Sequence, residues 1–485
     1  MIVMKFGGSS VAGAERIVNM TEIVKSRIKL KPVLVLSAMG NTTDYLLESA
    51  DAALKKGFVS IEKIEELHLK TIADLSLGEA IQKEVKDLFW ELGSLLTGIS
   101  LTKELTGRTK DCLVSFGERI SVRIAAAYFR GKKINARALD AWDAGFISDS
   151  AFGQAELRKE SYIRIASFLR SLLAEGTLPV ITGFIAKDEN GNITTLGRGG
   201  SDLSATVIAA ALKADEVQIW KDVDGILGAD PRLVEDAKPV ELVSYEEAAE
   251  LAYFGAQVLH PRSMQPCINT GIPVLVKNSF NPESPGTRIV PGPVKDTPLC
   301  RAITSKKNIT LVDIVSTRML GQSGFLARLF AEFAKNSISV DMIATSEVSV
   351  SLTLDAEKDL TAVCRELSEY ASVEVKTGKA IITIIGDVRR SSEILHEAFG
   401  VCKKLGIQVQ MVSQGASKVN ISFIVNDKEA DTLVKELHRF FFSGADAKHG
   451  SGKKPEAKAK KSVDEASPRH GPEGGTTASG EGKQS

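Results

Sequence analysis

A glycine-rich segment at residues 197–205 contains the side chains of this chain that are best suited to chemistry. Arg198, Ser201 and Asp202 lie where an extended run passes into a helical one. Glycines let a backbone approach phosphate oxygens closely, and the first N–H groups of a helix favour anions. A guanidinium grips a carboxylate or phosphate through two parallel hydrogen bonds, whereas a carboxylate suits an ammonium group or a phosphate-bound metal. The segment therefore fits a zwitterionic amino acid that meets a nucleotide.

Two common phosphate-binding motifs do not account for this segment. The P-loop pattern Gly-x-x-x-x-Gly-Lys-Ser/Thr occurs nowhere in the chain. The third glycine of a dinucleotide-binding Gly-x-Gly-x-x-Gly motif would fall at Asp202. Taken alone, the segment also fits an ordinary glycine-rich turn before a helix. Other motifs are needed to distinguish a binding site from such a turn.

Two further polar segments directly follow predicted strands. In residues 5–10, backbone N–H groups and Ser9 can hold phosphate oxygens, and Lys5 is a compact cation suited to a transferring γ-phosphoryl group. In residues 37–43, the hydroxyl groups either bind a substrate carboxylate or cap the next helix. Each segment alone also fits an ordinary turn between a strand and a helix.

Acidic side chains occur in two more segments. Glu118 stands beside Arg119 in a predicted helix, where such pairs are usually solvated, but an amino-acid substrate needs an acceptor for its ammonium group. Asp222 and Asp224 follow another predicted strand, in a turn that can face ribose, adenine or a metal. Acidic turns are common, so this second signal has little specificity of its own.

The elements that position these residues are predicted from continuous apolar runs that alternate with helical periods. Predicted strands cover residues 2–6, 33–36, 178–182, 216–220 and 272–276, and long helices cover 111–129 and 155–173. Such strands, separated by helices, predict an α/β fold with a mainly parallel sheet sandwiched by helices. Ligands in such sheets bind at the carboxyl ends of the strands, which is where the polar segments fall.

The second part of the chain has a different pattern, which begins after a Pro/Gly-rich boundary at residues 281–293. Strict alternation at 338–343 and 348–354 returns at 407–412 and 419–424, so that Ile338 and Ile407 are 69 residues apart (407 − 338). Predicted helices cover 325–336, 358–369, 393–405 and 428–439. The repeat predicts two tandem ferredoxin-like βαββαβ units.

Composition excludes several classes of protein. The 485 residues suggest two or three domains, and 61 basic residues balance 61 acidic ones, unlike a sequence-independent nucleic-acid binder. No apolar run reaches the length of a membrane span. Five widely spaced cysteines form neither a disulfide framework nor a zinc pattern, which predicts a reducing compartment. The chain enters its first strand without a leader, so we expect a cytoplasmic protein.

Taken together, the motifs resemble those of the aspartate kinases (aspartokinases) of the amino acid kinase family. The chain looks most like the lysine-sensitive, monofunctional, plant-like branch with tandem ACT domains. The matching segments are residues 5–9, 37–43, 116–121, 183–185, 197–205, 220–232, 254–264 and 276–280. The resemblance covers about residues 1–440 and implies a catalytic domain at 1–290 and ACT units at 298–376 and 377–442. Residues 443–485 lack aromatic side chains and are predicted to be a disordered tail.

The resemblance implies transfer of the γ-phosphoryl group of MgATP to the β-carboxylate of L-aspartate, giving 4-phospho-L-aspartate and ADP. This reaction is the first step towards lysine, threonine and methionine. A carboxylate is already ionised at neutral pH, so positioning and charge neutralisation replace a strong general base. Mg²⁺ is the implied cofactor and bridges the phosphates.

The resemblance also implies a role for each matching residue. The ATP-binding residues are Lys5, Gly7, Gly8, Ser9, Asp222, Asp224 and Arg232. The catalytic residues are Lys5, Arg198 and Asp202. The substrate-binding residues are Arg198 for the α-carboxylate, Glu118 with Asp202 for the ammonium group, and Ser37, Thr43 and Ser201.

The two ACT units differ at the positions suited to an amino-acid effector. A shift of 69 residues places Gln410, Gly415 and Ala416 opposite Asp341, Ser346 and Glu347, so that only the first unit keeps the acids. We therefore expect lysine at the first unit, where the effector residues are Met319, Gln322, Gly324, Phe325, Leu326, Asp341, Ser346 and Glu347. These acids also fit exposed strand ends. ACT pairing across chains implies a homodimer.

Other interpretations stay open on the sequence. The chain resembles bacterial relatives less at Gln257, where many have lysine, and at Leu227, where many have tyrosine. A kinase of glutamate, acetylglutamate or a nucleotide is one alternative, and an amino-acid sensor with an inactive kinase domain is another. Length argues against a fusion to homoserine dehydrogenase. Threonine and S-adenosylmethionine, alone or with lysine, are alternative inhibitors.

Overall fold

The first region of the chain contains a mostly parallel sheet with its connecting helices. The computed structural model describes residues 1–253, 259–292, 294, 298–319, 323–356, 359–414 and 419–443. The strands of the first region are β1 (Ile2–Phe6), β2 (Val33–Leu36), β3 (Ala136–Leu139), β4 (Ile147–Ser148), β5 (Leu178–Thr182), β6 (Ile185–Asp188), β7 (Ile193–Thr195), β8 (Glu216–Lys221), β9 (Leu242–Ser244), β10 (Val274–Asn278) and β11 (Thr287–Val290). Its helices are α1 (Ala14–Ser26), α2 (Thr42–Lys56), α3 (Glu62–Asp74), α4 (Glu79–Thr102), α5 (Gly107–Gly131), α6 (Glu160–Ala174), α7 (Gly200–Leu212), α8 (Tyr245–Tyr253) and α9 (Pro261–Thr270).

The eight-stranded sheet has the order β3-β5-β2-β1-β8-β10-β11-β9, and its neighbours from β3 to β10 are parallel. Side chains alternate between its two faces: Phe6 packs with residues of α2, α4 and α5, whereas Val3 packs with residues of α6, α7 and α9. The predicted sheet sandwiched by helices is thus confirmed. The chain leaves β1 for β2 on one side and later returns to β8 on the other. Such a reversal of strand order opens a crevice at the carboxyl ends of the strands.

The second region forms one six-stranded antiparallel sheet of order β13-β14-β12-β15-β17-β16. Its strands are β12 (Cys300–Val315), β13 (Ile343–Thr345), β14 (Ser349–Asp355), β15 (Ser372–Gly386), β16 (Met411–Ser413) and β17 (Asn420–Asn426). Its helices are α10 (Phe325–Lys335), α11 (Thr361–Ser368), α12 (Ser391–Leu405) and α13 (Asp427–Ser443). The helices α10 and α11 contribute to one apolar core, and α12 and α13 contribute to another.

The two long strands of this sheet each serve both βαββαβ units. Residues 309–315 of β12 pair with β14, and residues 379–385 of β15 pair with β17. The positive φ angles of Asn308 (57°) and Gly378 (67°) mark the interruption in each strand. The other half of each strand completes the sheet of the other unit, so the second unit takes its fourth strand from residues 300–306, before the first unit. This interleaving was not predicted.

Several predicted boundaries were wrong. Residues 155–158 are not helical, since Ala155 donates its N–H to Thr195 O and Arg158 donates to Ile147 O. The strand predicted at 338–343 is confined to Ile343–Thr345, and that predicted at 407–412 is confined to Met411–Ser413. The predicted tail lies outside the described residues from 444 onwards. Across the described part of the chain, no helix has the length and apolar character to cross a membrane.

Candidate active site

A cavity of about 950 Å³ opens at the carboxyl ends of the central parallel strands. It brings together all seven residues that the sequence predicted for substrate binding and catalysis, together with Gly8 of the predicted ATP-binding set. These lining residues are Lys5, Gly8, Ser37, Thr43, Glu118, Arg198, Ser201 and Asp202. Lys110, Asp111 and Phe184 also line it, although the sequence analysis gave them no role. Polar groups that converge in one concave site are typical of an active site.

The glycine-rich segment opens helix α7 at the wall of this cavity. Gly199 precedes the helix with a φ angle of 73°, and a Cβ atom there would lie 2.8 Å from the Cβ of His260. Only glycine fits such a conformation at such a distance. The helix then begins at Gly200, which places Ser201 and Asp202 in its first turn beside the N–H groups that favour anions.

Asp202 lies between two lysines. Its Oδ1 atom is 2.7 Å from Nζ of Lys5, and its Oδ2 atom is 3.5 Å from Nζ of Lys221. Burial alone would raise the pKa of Asp202, but the two ammonium groups outweigh burial and hold its pKa below the ordinary value. Burial lowers the pKa of Lys221, against the attraction of Asp202. The carboxylate is therefore ionised and organises two cations.

Glu118 lies on α5 and lines the same cavity. Its Oε1 atom accepts a hydrogen bond from the backbone N–H of Ala38 at 3.1 Å. Its Oε2 atom is buried without a hydrogen-bond partner among the residues that the structure describes. Burial raises the pKa of Glu118 to about 8. A buried carboxyl oxygen without a hydrogen-bond partner suits the ammonium group of a small substrate.

The loop that carries Arg198 is held from two sides. Asp111 accepts hydrogen bonds from Thr195 N, Thr195 Oγ1 and Gly153 N at 2.8–2.9 Å. From the other side, Arg262 donates to Leu196 O at 3.3 Å and to Ala155 O at 3.1 Å. The signal that could have identified Asp111 is its spacing of seven residues from Glu118, which puts both acids on one face of α5.

Two of the predicted nucleotide-binding residues, Lys5 and Gly8, line this cavity, whereas Gly7, Ser9, Asp222, Asp224 and Arg232 are not among its lining residues. The N–H of Gly7 donates to Trp220 O at 3.1 Å, so the turn that contains Gly7, Gly8 and Ser9 lies against the end of β8. Asp222 is exposed, and Asp224 accepts hydrogen bonds from Asn278 at 3.0 Å and Asn281 at 3.2 Å.

Arg232 is 87% exposed and pairs with Asp230. Its role toward ATP, like those of the other predicted ATP-binding residues, stays a prediction. Gln257 lies outside the described residues. No group of three or more His, Cys, Asp or Glu that could hold a metal ion occurs where the structure describes the chain.

Most of the predicted effector residues lie at one end of the second sheet. Met319 follows β12, residues 324–326 begin α10, and the β13–β14 turn contains Ser346 and Glu347. The hydrogen bond from Ser316 N to Val348 O, 2.8 Å long, joins this turn to the end of β12.

Asp341 precedes β13, at the other end of that short strand, and its Oδ2 atom is 2.7 Å from Nζ of Lys306. Lys306 also contacts Asp355 at 2.9 Å. Gln322 is among the residues that the structure does not describe.

Comparisons with known proteins agree with this arrangement. A model of the amino acid kinase family matches residues 1–278, and an ACT domain model matches residues 312–369 and 382–441. Aspartokinase 1, chloroplastic, of Arabidopsis thaliana is 47% identical over 461 residues, which are 92% of this chain and 80% of that protein.

Two crystal structures of E. coli aspartokinase III are also similar, each with 34% sequence identity. The complex with aspartate and ADP, in the R-state, has a TM-score of 0.77 over 91% of this chain and 100% of that chain. The complex with lysine and aspartate, in the T-state, has a TM-score of 0.73 over 91% of this chain and 99% of that chain.

Proposed function

The chain belongs to the aspartokinases of the amino acid kinase family, and we propose that the cavity at the carboxyl ends of β1 and β2 is its catalytic centre. The enzyme transfers the γ-phosphoryl group of ATP to the β-carboxylate of aspartate. The observation that carries the location is the contact between Lys5 and Asp202 at the wall of a cavity that Glu118 and Arg198 also line. One site there combines cations for phosphate with an acceptor for an ammonium group.

Aspartate binding follows from the charges around the cavity. Arg198 takes the α-carboxylate through its planar guanidinium, because two parallel N–H donors match the two carboxylate oxygens. Glu118 takes the ammonium group on its buried Oε2 atom, with Asp202 close to the same cavity. The hydroxyl groups of Ser37, Thr43 and Ser201 hold the rest of the substrate in position.

ATP binds where the turn at residues 7–9 meets the end of β8. Backbone N–H groups of this turn hold phosphate oxygens, and Lys5 neutralises charge on the moving phosphoryl group. Asp222, Asp224 and Arg232 contact the nucleotide. Mg²⁺ bound to the ATP phosphates would supply further charge neutralisation there. Binding of Mg²⁺ through the phosphates is consistent with the nearby carboxylates. Asp202 already contacts two lysines, and Asp224 already accepts hydrogen bonds from amide groups.

The reaction needs positioning more than proton transfer. An oxygen of the ionised β-carboxylate attacks the γ-phosphorus, that O–P bond forms, and the bond from phosphorus to the bridging oxygen of ADP breaks. No proton has to leave the nucleophile, so the site works without a general base. The cavity contributes by aligning the two substrates in a site where the attacking and leaving oxygens lie in line.

Regulation is assigned to the second region. We propose residues 1–290 as the catalytic domain and 298–376 and 377–442 as the ACT units, with residues 300–306 completing the sheet of the second unit. Lysine inhibits at the first ACT unit through the effector residues named above, and the enzyme assembles as a homodimer through its ACT units. The crystal structure of E. coli aspartokinase III in complex with lysine and aspartate supports this choice of inhibitor. We also propose a cytoplasmic location, although the Arabidopsis relative is named chloroplastic.

The test is formation of aspartyl hydroxamate by the purified chain with MgATP and hydroxylamine. We expect product with aspartate, none with glutamate, and suppression by millimolar lysine but less by threonine. Product that lysine does not suppress would leave the kinase in place and remove the proposed inhibitor. Folded protein that makes no product from aspartate would contradict the proposed catalytic centre.

A further inference from the structure

Asp111 lines the cavity from α5 but is not among the residues assigned to aspartate or ATP. We propose that Asp111 is a positioning residue for aspartate, which sets the distance between Glu118 and Arg198. This inference rests on the proposed function of the cavity and adds one residue to it. It is carried by three hydrogen bonds, by the helix that Asp111 shares with Glu118, and by a close backbone contact beside Arg198.

The two groups that hold the ends of the substrate come from different elements. Glu118 belongs to α5, whereas Arg198 belongs to the loop between β7 and α7. Strand β7 lies at one end of a separate three-stranded sheet of order β4-β6-β7. The ammonium group and the α-carboxylate of aspartate are bonded to the same carbon atom, so both can be held only if the two elements keep a fixed distance. A contact between α5 and the end of β7 therefore bears directly on aspartate binding.

Asp111 makes this contact at Thr195, the last residue of β7. The next residue, Leu196, donates its N–H to Phe184 O, so the N–H of Thr195 points to the other side of the strand, where α5 lies. Oδ2 of Asp111 accepts this N–H at 2.8 Å, and Oδ1 accepts from Oγ1 of Thr195 at 2.9 Å. The side chain of Asp111 is buried, and an ionised carboxylate accepts both donors without donating itself. The end of β7 is thus fixed to α5 by two bonds to one side chain.

A second route from Asp111 to Arg198 passes through the segment before α6. Oδ2 of Asp111 also accepts the N–H of Gly153 at 2.8 Å. Gly197, which precedes Arg198, has a φ angle of 74°, and a Cβ atom there would lie 3.2 Å from Gly153 O. Such a tight backbone contact transmits a displacement of one segment to the other. Asp111 therefore also holds the segment against which the turn of Arg198 rests.

The helix converts this anchoring into a distance between the two substrate-binding groups. Asp111 and Glu118 are seven residues apart on one face of α5, which is about 10 Å along the helix axis. Arg198 is three residues beyond Thr195 on the other side of the contact. One carboxylate thus links the acceptor for the ammonium group to the donor for the α-carboxylate. A ligand that binds at both groups depends on the distance between them, whereas a ligand that binds at one group does not.

The test compares the Kd of aspartate with the inhibition constants of two analogues in the full chain. Succinate has no ammonium group and β-alanine has no α-carboxylate, so each analogue binds at only one of the two groups. We expect Asp111→Ala to raise the Kd of aspartate about 30-fold, measured by calorimetry with ADP present. The inhibition constants of succinate and β-alanine, measured as competitors of aspartate, should each change less than about threefold. General damage to the site would instead weaken all three ligands.

Two further variants and a control complete the comparison. In Asp111→Asn the amide oxygen accepts the two backbone N–H groups and the amide nitrogen donates to the hydroxyl of Thr195, so the Kd of aspartate should return to within about threefold of wild type. Thr195→Val removes one of the three donors and should raise that Kd about fivefold. Asp188→Ala is the matched control, because Asp188 is also buried and accepts from the N–H groups of Asn190 and Asn192, but is not among the lining residues of the cavity. It should change each of the three constants less than about twofold.

Two results would overturn the proposal. In one, Asp111→Ala keeps the Kd of aspartate within about threefold of wild type. In the other, both analogues weaken by the same factor as aspartate, which would make Asp111 a residue for stability alone. Both results require an active wild-type chain, so they are distinct from failure of the proposed function, in which the wild type itself makes no product. If circular dichroism shows that Asp111→Ala is unfolded, Thr195→Val decides the question: a loss confined to aspartate supports the proposal, and an equal loss for all three ligands, or none, contradicts it.

Discussion

The proposed catalytic centre and the proposed first ACT unit each contain a cluster of aspartate and lysine, but the two clusters have opposite charge balance. In the catalytic centre one carboxylate meets two ammonium groups, those of Asp202, Lys5 and Lys221. In the ACT unit one ammonium group meets two carboxylates, those of Lys306, Asp341 and Asp355. The first cluster therefore suits an anion such as a phosphoryl group, and the second suits a cation such as the amine of an amino acid.

The clusters also differ in exposure to solvent. The side chains of Asp202 and Lys5 are each 7% exposed. In the ACT unit Asp341 is 4% exposed, but Asp355 is 56% exposed. Solvent and salt screen an exposed charge far more than a buried one. We therefore expect large effects for substitutions in the catalytic cluster and graded effects in the regulatory cluster.

Substitution of Lys5 tests the catalytic side of the comparison and should have the largest effect. We expect Lys5→Met to lower kcat about 10³-fold, because the transferred phosphoryl group loses a fixed and nearly buried cation. Initial rates of ADP formation at saturating aspartate and ATP give the measurement. A variant that keeps more than about a tenth of the wild-type kcat would show that the excess positive charge is not used in catalysis.

Substitution of Asp341 tests the regulatory side. We expect Asp341→Asn to raise the lysine concentration for half-inhibition about 30-fold, since a buried charged acceptor becomes neutral. Rates are normalised to those of each variant without lysine. Asp313→Asn is the matched control, because Asp313 pairs with Lys376 in the same sheet and is not an effector residue. Equal shifts in both variants would mean that general disturbance of the sheet, rather than the cluster, weakens inhibition.

The sequence singled out Lys5, Asp202 and Asp341 but not the other three members of the two clusters, Lys221, Lys306 and Asp355. The first three were recognised by residue type and by their place after strands or in repeats, because parallel sheets gather ligands at strand ends. Lys221 was not singled out, since it meets its partner Asp202, which lies on α7, only in the folded structure. Likewise Lys306 reaches Asp341 from a strand outside the repeat that revealed the unit.

The predicted fold shows the same difference between local features, which the sequence indicates, and pairing of distant segments, which it does not. Predicted strands at 33–36 and 178–182 have the observed bounds, because their continuous apolar runs are buried on both faces. The interleaved ACT units were missed, because a repeat of 69 residues shows that two units exist but not which of them uses residues 300–306. The strand expected at 338–343 was wrong because alternation alone does not show where regular pairing stops, which here is at Ile343.

Glu118 extends the comparison, because it is a buried acid without an ion pair among the described residues, whereas Asp341 pairs with Lys306. Its pKa of about 8 means that it is mostly protonated at pH 7 in the empty site, whereas the proposed contact with the ammonium group of aspartate requires the carboxylate. Binding therefore releases a proton, and affinity rises with pH until Glu118 is ionised. We expect the KM for aspartate to fall about fivefold from pH 7 to pH 8. Glu118→Gln should abolish this pH dependence, and a wild-type KM that is flat or rises over this range would contradict the assignment.

Substitution of Asp355 should have the smallest effect, and it distinguishes the contribution of burial from that of net charge. It shares Lys306 with Asp341, so Asp355→Asn and Asp341→Asn alter the net charge of the cluster by the same amount. If burial decides the effect, Asp355→Asn should raise the half-inhibitory lysine concentration only about twofold, because its exposed carboxylate is screened by water and salt. Raising the ionic strength should remove most of that twofold difference and leave the effect of Asp341→Asn nearly intact. Equal effects of the two variants at both ionic strengths would mean that net charge alone sets effector affinity, and the contrast in burial between the two clusters would then have no functional consequence.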